Sequence, residues 1–430
     1  MHIYFLGIGG AGIGPLAEIA HQAGYIVSGS DKQGSDYIRY LKKHGIDDIS
    51  ISQAEDIVNQ TKQQSPIDWL VYSSAVDIEE LGKKQVAYAQ KLGIKCTKRD
   101  QFISYLLDKN NLKMIAIAGT HGKTTTTAMI TWLFLKLNEP ISYLIPAKVN
   151  FGAMGSFIKE SKYFIYEADE FDCNFLSFHP RLSLISGVSW DHHEIYPTRQ
   201  EYINAFHDFI NQSQQTIIWD SDQKYLGLKE GNIFSQNDHE PRIKDINLAG
   251  LYNRRDAWLA IYAVHQLKGV PIDILINHIN HFPGLSRRME EIVPNLYSDY
   301  AHTPEKIRGA MSVANEIAVA KDKPLVVIYE PLTNRRQKYI INEYQDCFNG
   351  ASHLYWLPSY LAREDPQERI IEPQELINHL KDPTIAEPAL RDKKLEEIIR
   401  HHLREGHMVV AIAGGGGNSL DDWLRDKFRN

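Results

Sequence analysis

The chain has 430 residues, 43% of them hydrophobic and 23% charged, and its net charge is −7 at neutral pH. These values are ordinary for a globular protein, and the length suggests about three domains, each large enough to bury its own core. Because the chain is not basic overall, we expect neither nucleic acid nor an anionic membrane as a partner. No apolar run reaches the roughly 18 residues needed to span a bilayer.

The opening residues and the cysteines favour a cytoplasmic enzyme. Residues 1–6 predict a strand and carry neither the basic start nor the cleavage site of a secretory signal. The three cysteines, Cys96, Cys173 and Cys347, lie far apart and form no Cys-x-x-Cys pair. This spacing argues against a disulfide framework and against a zinc knuckle.

A glycine-rich turn follows the first predicted strand, residues 2–6, and a second strand is predicted at 25–28. This βαβ pattern either binds a ligand or only packs a helix tightly against a strand. An acidic residue lies about 20 residues further on, where such folds meet sugar hydroxyls, and two serines follow a strand predicted at 69–72. The residues expected to contact a ligand here are Gly9, Gly10, Gly12, Asp31, Ser73 and Ser74.

The stretch from 114 to 127 is an apolar run, a turn bracketed by glycines, and then a helical pattern, which predicts a strand, a phosphate-binding loop and a helix. Backbone N–H groups would close around phosphate oxygens, Lys123 would reach the β- and γ-phosphates, and Thr124 would offer its hydroxyl to Mg²⁺. The spacing is two residues shorter than the common nucleotide loop. The expected phosphate contacts are Gly119, Thr120, His121, Gly122, Lys123, Thr124 and Thr125.

Two further polar segments follow predicted strands. Four carboxylates lie within Glu167–Asp172, after a strand at 163–167, and Asp191 and His192 follow a strand at 182–188. A solvated acidic loop is the simpler interpretation of the first segment. Because parallel strand ends meet at one sheet edge, both segments are instead expected beside the phosphate loop. Thr124, Glu167 and His192 are therefore the predicted ligands of one or two Mg²⁺ ions, although imidazole is an unusual magnesium ligand.

The last segment, from residue 284, predicts a smaller α/β unit with strands at 325–328, 353–357 and 408–413 and helices near 304–320 and 395–406. An arginine pair, Arg287 and Arg288, stands at its start, where it could close onto a transferring phosphate. Asp299 follows a short predicted strand. The run Gly414–Gly417 is either a turn that allows close approach or a flexible connector.

Taken together, these motifs resemble those of the Mur ligases of peptidoglycan synthesis, in the same order and over essentially the whole chain. The resemblance rests on residues 119–125, 167–170, 191–192, 250–253, 287–288 and 299–302. It implies three α/β domains: an N-terminal Rossmann-like UDP-sugar domain over 1–111, a central P-loop ATPase with a parallel sheet over 112–283, and a C-terminal Rossmann-like amino-acid domain over 284–430.

The resemblance also implies an ATP-dependent amide ligase that activates the carboxylate of UDP-N-acetylmuramate as an acyl phosphate. The implied catalytic residues are Lys123, His192 and Arg288. Asn253 would contact adenine and Asp299 the ribose, while Thr124 and Glu167 would hold the first Mg²⁺ and His192 the second. A monomer and a homodimer are both compatible with the sequence.

Two branches of the family compete. Residues 7–14, 28–31, 72–75 and 360–366 are similar to the branch that adds L-alanine, which we favour. Residues 167–173, 287–290 and 330–334 are more similar to the branch that adds a preformed L-Ala–γ-D-Glu–meso-diaminopimelate tripeptide.

The chain also departs from the family at three positions. Asp256 replaces an asparagine that contacts adenine, and Glu330-Pro-Leu332 replaces Gln-Pro-His of the alanine-adding branch. His207 stands near the place of a modified lysine, where it either assists a metal or packs.

Two other classes remain open at this stage. A dehydrogenase would use the N-terminal glycine turn for a dinucleotide, but it would have no need of Lys123, Thr124 and the Asp191–His192 pair. A nucleotide sensor would bind ATP without turnover. Phosphate release that requires both ATP and UDP-N-acetylmuramate distinguishes a ligase from both.

Overall fold

The computed structural model describes residues 1–51, 66–74, 76, 80–192, 195–229, 231–361, 367–414 and 419–429. Ala75, most of the 360–366 segment and residues 415–417 of the glycine run lie outside the described residues. The chain divides into two compact units: residues 1–246 with 255–283, and residues 247–254 with 284–430. The domain boundary expected near residue 111 lies inside the first unit.

The first sheet is wholly parallel, with strand order β3-β2-β1-β4-β5. Its strands are β1 (His2–Leu6), β2 (Ile26–Asp31), β3 (Ile49–Ile51), β4 (Trp69–Tyr72) and β5 (Lys95–Lys98). Its helices are Gly14–Gln22, Asp36–Lys43, Glu80–Lys91 and Arg99–Lys109. The glycine-rich turn follows β1, the central strand of this sheet. The strand order reverses at β1, between β2 on one side and β4 on the other.

The second sheet has the order β12-β11-β10-β6-β9-β7-β8, and only β8 pairs antiparallel. Its strands are β6 (Lys113–Ala118), β7 (Ser142–Leu144), β8 (Gly155–Ser156), β9 (Tyr163–Glu167), β10 (Leu182–Ile185), β11 (Thr216–Trp219) and β12 (Ile233–Gln236). The helices are Lys123–Lys136, Arg199–Gln212, Asp220–Leu226, Leu251–Lys268 and Ile272–Ile279, with 3₁₀ turns at Phe171–Ser177 and Pro241–Asp245.

The third sheet has the order β13-β14-β18-β15-β16-β17, with β13 antiparallel to β14. Its strands are β13 (Glu290–Val293), β14 (Leu296–Asp299), β15 (Leu325–Glu330), β16 (His353–Trp356), β17 (Ala386–Pro388) and β18 (Met408–Ala413). The helices are Pro304–Ala320, Asn334–Ile340, Pro373–Ile377, Lys393–Arg404 and Leu420–Phe428, with 3₁₀ turns at Ile341–Glu343 and Pro383–Ile385.

The expected α/β architecture is confirmed, with three sheets that are parallel except for β8 and β13. Some edge strands, among them β3, β8 and β17, were not predicted, and two predicted strands differ from the observed ones at their ends. The strand expected to end at Ser28 runs on to Asp31, because the first sheet continues through that residue. The strand expected to reach Val188 ends at Ile185; Gly187 then adopts φ +156° as the chain leaves the sheet. The central strands are buried along their length, as expected where helices cover both faces.

No helix in the described part of the chain is both long and apolar enough to cross a membrane. Cys96, Cys173 and Cys347 are free thiols, and Cys347 is buried.

Candidate functional site

Three strand ends meet at one edge of the second sheet. β6 lies between β9 and β10, and all three run in the same direction. The phosphate loop therefore leaves the sheet between the segment that follows Glu167 and the segment that carries His192. This is the convergence expected from the sequence, and it follows from the parallel pairing alone.

The phosphate loop is shaped by two glycines in conformations that other residues rarely adopt. Gly119 has φ +133°, and Gly122 has φ +74° as the residue that caps the helix Lys123–Lys136. A Cβ atom on Gly122 would lie 2.4 Å from Oδ1 of Asp256, so the close approach of that carboxylate also requires glycine. The N-terminus of a helix carries N–H groups and a dipole that favour an anion, and here it directly follows the loop.

The loop is anchored to the segment that follows β10. The Thr120 backbone N–H donates to the Gly187 carbonyl over 2.8 Å, and the Thr120 hydroxyl donates to the Ser189 carbonyl over 2.7 Å. Nε2 of His121 lies 3.0 Å from the Ser189 hydroxyl. Thr120 and His121 therefore hold the loop against the segment that follows β10. Thr125 lies in the first turn of the helix.

Lys123 makes a buried ion pair. Its Nζ donates to the Gly119 carbonyl and to Oε2 of Glu170, each over 2.6 Å, and lies 3.8 Å from Oδ1 of Asp169. Desolvation lowers the pKa of Lys123, but Glu170, Asp169 and Glu167 together raise it above its ordinary value. The ammonium group therefore stays charged at neutral pH.

Two sets of candidate metal ligands lie beside the loop. The Thr124 hydroxyl donates to Oε2 of Glu167 over 2.7 Å. One ligand atom each from Asp169, Glu170 and His192 lies within 4.8 Å of the others, and Nε2 of His192 is 3.7 Å from Oε1 of Glu170. The resemblance assigned Thr124 and Glu167 to a first Mg²⁺ and His192 to a second, and in the structure the His192 ring lies beside Asp169 and Glu170.

The carboxylates fit a divalent cation. Oε1 of Glu170 is buried and receives no hydrogen bond from any residue in the described ranges. A buried carboxylate oxygen without a donor is costly unless a cation completes it. Hard oxygen ligands suit Mg²⁺, and His192 adds a nitrogen ligand that Mg²⁺ seldom takes. Asp169 and Glu170 are the carboxylates that would hold such an ion beside His192, and Glu167 with Thr124 forms the other candidate set.

The glycine turn after β1 is tied to Asp31. The Gly9 backbone N–H donates to Oδ2 of Asp31 over 2.8 Å, and the Lys32 N–H donates to Oδ1 over 2.7 Å. The Gly10 N–H bonds to the Gly7 carbonyl over 3.0 Å. Both oxygens of Asp31 thus already accept backbone hydrogen bonds, so Asp31 shapes the turn whatever else it binds.

The two serines lie where the first and second sheets meet. The Ser74 hydroxyl accepts a hydrogen bond from the Asn174 side chain over 3.4 Å, and the Ser73 carbonyl accepts one from the Val76 N–H over 2.9 Å. Gly12 lies against the guanidinium of Arg99. The first unit therefore contains both the predicted sugar-nucleotide residues and the phosphate loop.

Three predicted nucleotide contacts belong to the second unit. Nη1 of Arg288 donates to the Tyr300 carbonyl over 3.1 Å, and the Asn253 side chain donates to the Ala249 carbonyl over 2.8 Å. Oδ2 of Asp299 accepts the Met289 N–H over 2.8 Å.

Asp299 is a buried carboxyl with a raised pKa. Burial raises the pKa of Asp299 to about 6, while Arg288 and Arg287 act in the opposite direction. This carboxyl therefore lies close to the arginine pair that the sequence singled out.

The positions that depart from the family have definite environments. Asp256 lies against the phosphate loop at Gly122. Nε2 of His207 is 2.6 Å from the Leu226 carbonyl, to which it donates a hydrogen bond. Oε2 of Glu330 accepts the Leu420 N–H over 2.8 Å, at the start of the last helix.

The glycine run is described only at its first residue. A Cβ on Gly414 would lie 2.4 Å from Cβ of His302, which indicates a close-approach turn there.

Sequence reasoning missed several residues that support the site. The Tyr196 hydroxyl donates to the Glu170 carbonyl over 2.5 Å, and the Tyr202 hydroxyl is 2.7 Å from the Thr120 hydroxyl. Lys98 forms an ion pair with Asp172. Buried tyrosines within apolar patterns are indistinguishable from core residues in the sequence, so no local signal distinguished them.

Two family models match the chain. The model described as "Mur ligase family, catalytic domain" matches residues 2–110, and "Mur ligase middle domain" matches residues 117–256. Together they span more than half of the chain, and their order is that of the two sheets of the first unit. The chain belongs to the Mur ligase family.

Full-length relatives carry a specific name. A UDP-N-acetylmuramate–L-alanine ligase of Rickettsia bellii is 26% identical over 100% of this chain and 96% of its own length. The ligase of the same name from Clostridium acetobutylicum is 29% identical over 84% of each chain.

Solved structures share the fold of this Mur ligase. The UDP-N-acetylmuramate–alanine ligase of Thermotoga maritima superposes with a TM-score of 0.78 at 20% identity, covering 100% of this chain and 98% of that one. A murein peptide ligase of Psychrobacter arcticus gives a TM-score of 0.65 at 22% identity with the same coverage.

Proposed function

We propose that this Mur ligase uses ATP to join L-alanine to UDP-N-acetylmuramate through an acyl phosphate, in the synthesis of a peptidoglycan precursor. The observation that carries the activation chemistry is the meeting of Lys123, the Thr124–Glu167 pair and the Asp169–Glu170–His192 group at one sheet edge. The choice of L-alanine rests on the full-length relatives that bear that name.

In the first step the lactyl carboxylate attacks the γ-phosphorus of ATP, and ADP leaves. Such a transfer needs alignment and charge neutralisation more than covalent help from the protein. Lys123 would exchange its bond to Glu170 for the phosphate oxygens. The triphosphate would lie along Gly119 to Thr125 and bind the N–H groups of this segment other than that of Thr120, which bonds to Gly187. Arg288 is proposed as a second cation for the γ-phosphate, with Asn253 and Asp299 as contacts for adenine and ribose.

Mg²⁺ would be held by Thr124 and Glu167, and a second ion by His192 with Asp169 and Glu170. When bound, these ions offset the repulsion between the two anionic reactants. In the second step the amino group attacks the acyl carbon, phosphate leaves and the nitrogen loses a proton, which completes the amide. Gly9, Gly10, Gly12, Asp31, Ser73 and Ser74 are proposed to bind the UDP-sugar.

The test is product analysis with separate acceptors. The purified protein is incubated with ATP, Mg²⁺, UDP-N-acetylmuramate and one acceptor at a time. The acceptors are L-alanine, glycine, L-serine and the L-Ala–γ-D-Glu–meso-diaminopimelate tripeptide, and the products are identified by mass spectrometry. We expect the L-alanine adduct together with ADP and phosphate. A product formed with the tripeptide alone would assign the chain to the tripeptide-adding branch.

Two further outcomes would contradict the proposal. ATP hydrolysis that no amino acid alters would indicate a nucleotide sensor, and a change in NAD(P)H absorbance would indicate a dehydrogenase. Phosphate release should require both ATP and UDP-N-acetylmuramate.

A further inference from the structure

Arg99 stands at an unfavourable place for a cation. It is the first residue of the helix Arg99–Lys109, directly after β5, and the preceding Lys98 gives that helix no side-chain cap. Because the N-terminal end of a helix is electropositive, a cation at that end destabilises the helix. The sequence thus places two positive charges where the helix alone does not favour them.

The guanidinium of Arg99 lies against the glycine turn that follows β1. A Cβ on Gly12 would lie 2.3 Å from Nη1 of Arg99, so a larger residue there would displace the guanidinium from its present position. The Arg99 side chain is 20% exposed. One face of the guanidinium is therefore set against the backbone proposed to bind the sugar nucleotide.

Among the residues that the structure describes, none makes a hydrogen bond to this guanidinium. Within the described part of the chain, its ionic partner is Asp100, with Nε 3.6 Å from Oδ1, which is longer than a hydrogen bond. Asp100 instead accepts the Tyr166 hydroxyl over 3.1 Å. An arginine has five N–H donors, and the partial exposure of this side chain leaves them accessible to a ligand. The arrangement has the properties of a site that awaits an anion.

The same group is within electrostatic range of the carboxylates at the second sheet. Tyr166, Asp100, Asp169 and Glu167 raise the pKa of Arg99 above its ordinary value, against the effect of desolvation. Arg99 therefore stays charged.

We propose that Arg99 binds the diphosphate of the sugar nucleotide, facing the backbone of the glycine turn. This inference rests on the proposed function. A guanidinium matches phosphate oxygens through two parallel N–H bonds. The N–H groups of Gly9 and Gly10 are already bonded within the turn, so the donors on the other side would come from the N–H groups that follow them, near Gly12. Contact with Gly12 favours the diphosphate over the sugar carboxylate. Arg99 would also shield the diphosphate from Glu167 and Asp169.

The experiment measures binding by calorimetry, without turnover. UDP and ATP are titrated separately into the wild type, Arg99→Met and Arg99→Lys at several salt concentrations. We expect Arg99→Met to weaken UDP binding roughly 10- to 100-fold and to make it less dependent on salt, because a charged hydrogen bond to phosphate is lost. Arg99→Lys should recover part of the loss, since it keeps the charge without the planar fork. ATP affinity should stay unchanged.

Lys109→Met is the matched control, because it removes a charge from the exposed far end of the same helix. Its UDP affinity should equal that of the wild type. Thermal melting of each variant separates loss of binding from loss of folding, and Arg99→Lys keeps the test valid if Arg99→Met is unstable.

Equal UDP affinity in folded Arg99→Met and the wild type would overturn the assignment while leaving the proposed function intact. A loss of ATP affinity with unchanged UDP affinity would also overturn it. A wild-type protein that binds no UDP at all would refute the proposed function and the assignment with it.

Discussion

Lys123 is bonded to a carboxylate at the place where it is proposed to meet a phosphate. Oε2 of Glu170 lies 2.6 Å from Nζ of Lys123, and both side chains are largely shielded from water. When a triphosphate binds, its oxygens would compete with Glu170 for the same cation. A divalent ion on the freed carboxylate would keep the charges balanced, which links nucleotide and metal binding.

Replacing Lys123 with alanine should affect both stability and turnover. Removing one partner of a buried pair leaves Glu170 uncompensated, which costs about 3–5 kcal/mol in the free energy of unfolding. Turnover should fall on the order of 10³-fold, because the γ-phosphate loses its charge partner. Urea unfolding and phosphate release measure the two effects.

The double variant Lys123→Ala with Glu170→Gln is the control for this prediction. It removes the uncompensated charge, so much of the stability should return while activity stays low. Near-normal phosphate release in either variant would refute the proposed role of the loop.

His192 is held in a left-handed backbone conformation with φ +53°. Residues other than glycine seldom adopt it, and such strain is found most often at functional sites. The ring packs edge-on against Phe171, with 5.2 Å between centroids. Local strain and aromatic packing together fix the imidazole beside Asp169 and Glu170.

At the scale of elements, the helix that follows the phosphate loop depends on its glycine cap. Gly122→Ala should cost about 1–2 kcal/mol for the left-handed conformation, and its new Cβ would also displace the Asp256 carboxylate. We expect the midpoint of thermal unfolding to fall and ATP-dependent turnover to be lost.

Gly227→Ala is a close match for this test, because Gly227 also caps a helix in the left-handed conformation and has open space around it. It should show the backbone cost with activity retained. If both variants kept equal activity, the close contact at Gly122 would not matter for nucleotide binding.

The junction of β16, the helix Lys393–Arg404 and β18 holds a cluster of histidines. His402 is buried among His353, His401 and His407, with its Nδ1 2.9 Å from Nδ1 of His407 and its Nε2 2.9 Å from the Tyr355 hydroxyl. Desolvation, together with the neighbouring histidines, lowers the pKa of His402 to about 4.

This shift predicts a pH-dependent stability. Between about pH 6.5 and 4 the unfolded chain binds a proton at His402 that the folded chain does not, so stability is full above this range and declines as the pH falls through it. The decline of the urea midpoint from pH 7 to pH 5 should be shallower in His402→Gln than in the wild type. The exposed His239→Gln should keep the wild-type slope, and an unchanged slope in His402→Gln would contradict the prediction.

At the scale of the whole molecule, the chain passes between its two units near residues 246–255 and at 283–284. Beyond the second crossing, Arg287 and Met289 have φ of +58° and +46°. Short segments of this kind often absorb the rotation of a hinge. An acyl phosphate hydrolyses if water reaches it, so closure around the substrates would protect it.

We therefore expect the backbone around Arg287 and Arg288 to move when ATP binds. Crystal structures with and without nucleotide should differ in the angle between the two units, and X-ray scattering in solution should report a smaller radius of gyration with both substrates. Identical angles and radii would argue against closure. Addition of UDP alone is the control for occupancy of a single site.

Local sequence was sufficient for the central strands and for the geometry of one sheet edge. The glycine-bracketed turn at 119–122 and the apolar strands before Glu167 and Asp191 predicted a parallel sheet whose ends converge, because strand direction alone decides which ends meet. Positive φ at Gly122 is also a local property that glycine makes accessible.

Tertiary structure decided which side chains pair. Lys123 with Glu170, and Arg99 with the turn at Gly12, join positions far apart in the chain. No periodicity encodes such contacts, since they depend on how strand ends are ordered in the sheets and on what each buried charge finds there. The sequence by itself therefore determined the layered α/β frame and the phosphate loop, and packing alone decided the charge partners, because burial makes an unpaired charge costly wherever the chain brings it.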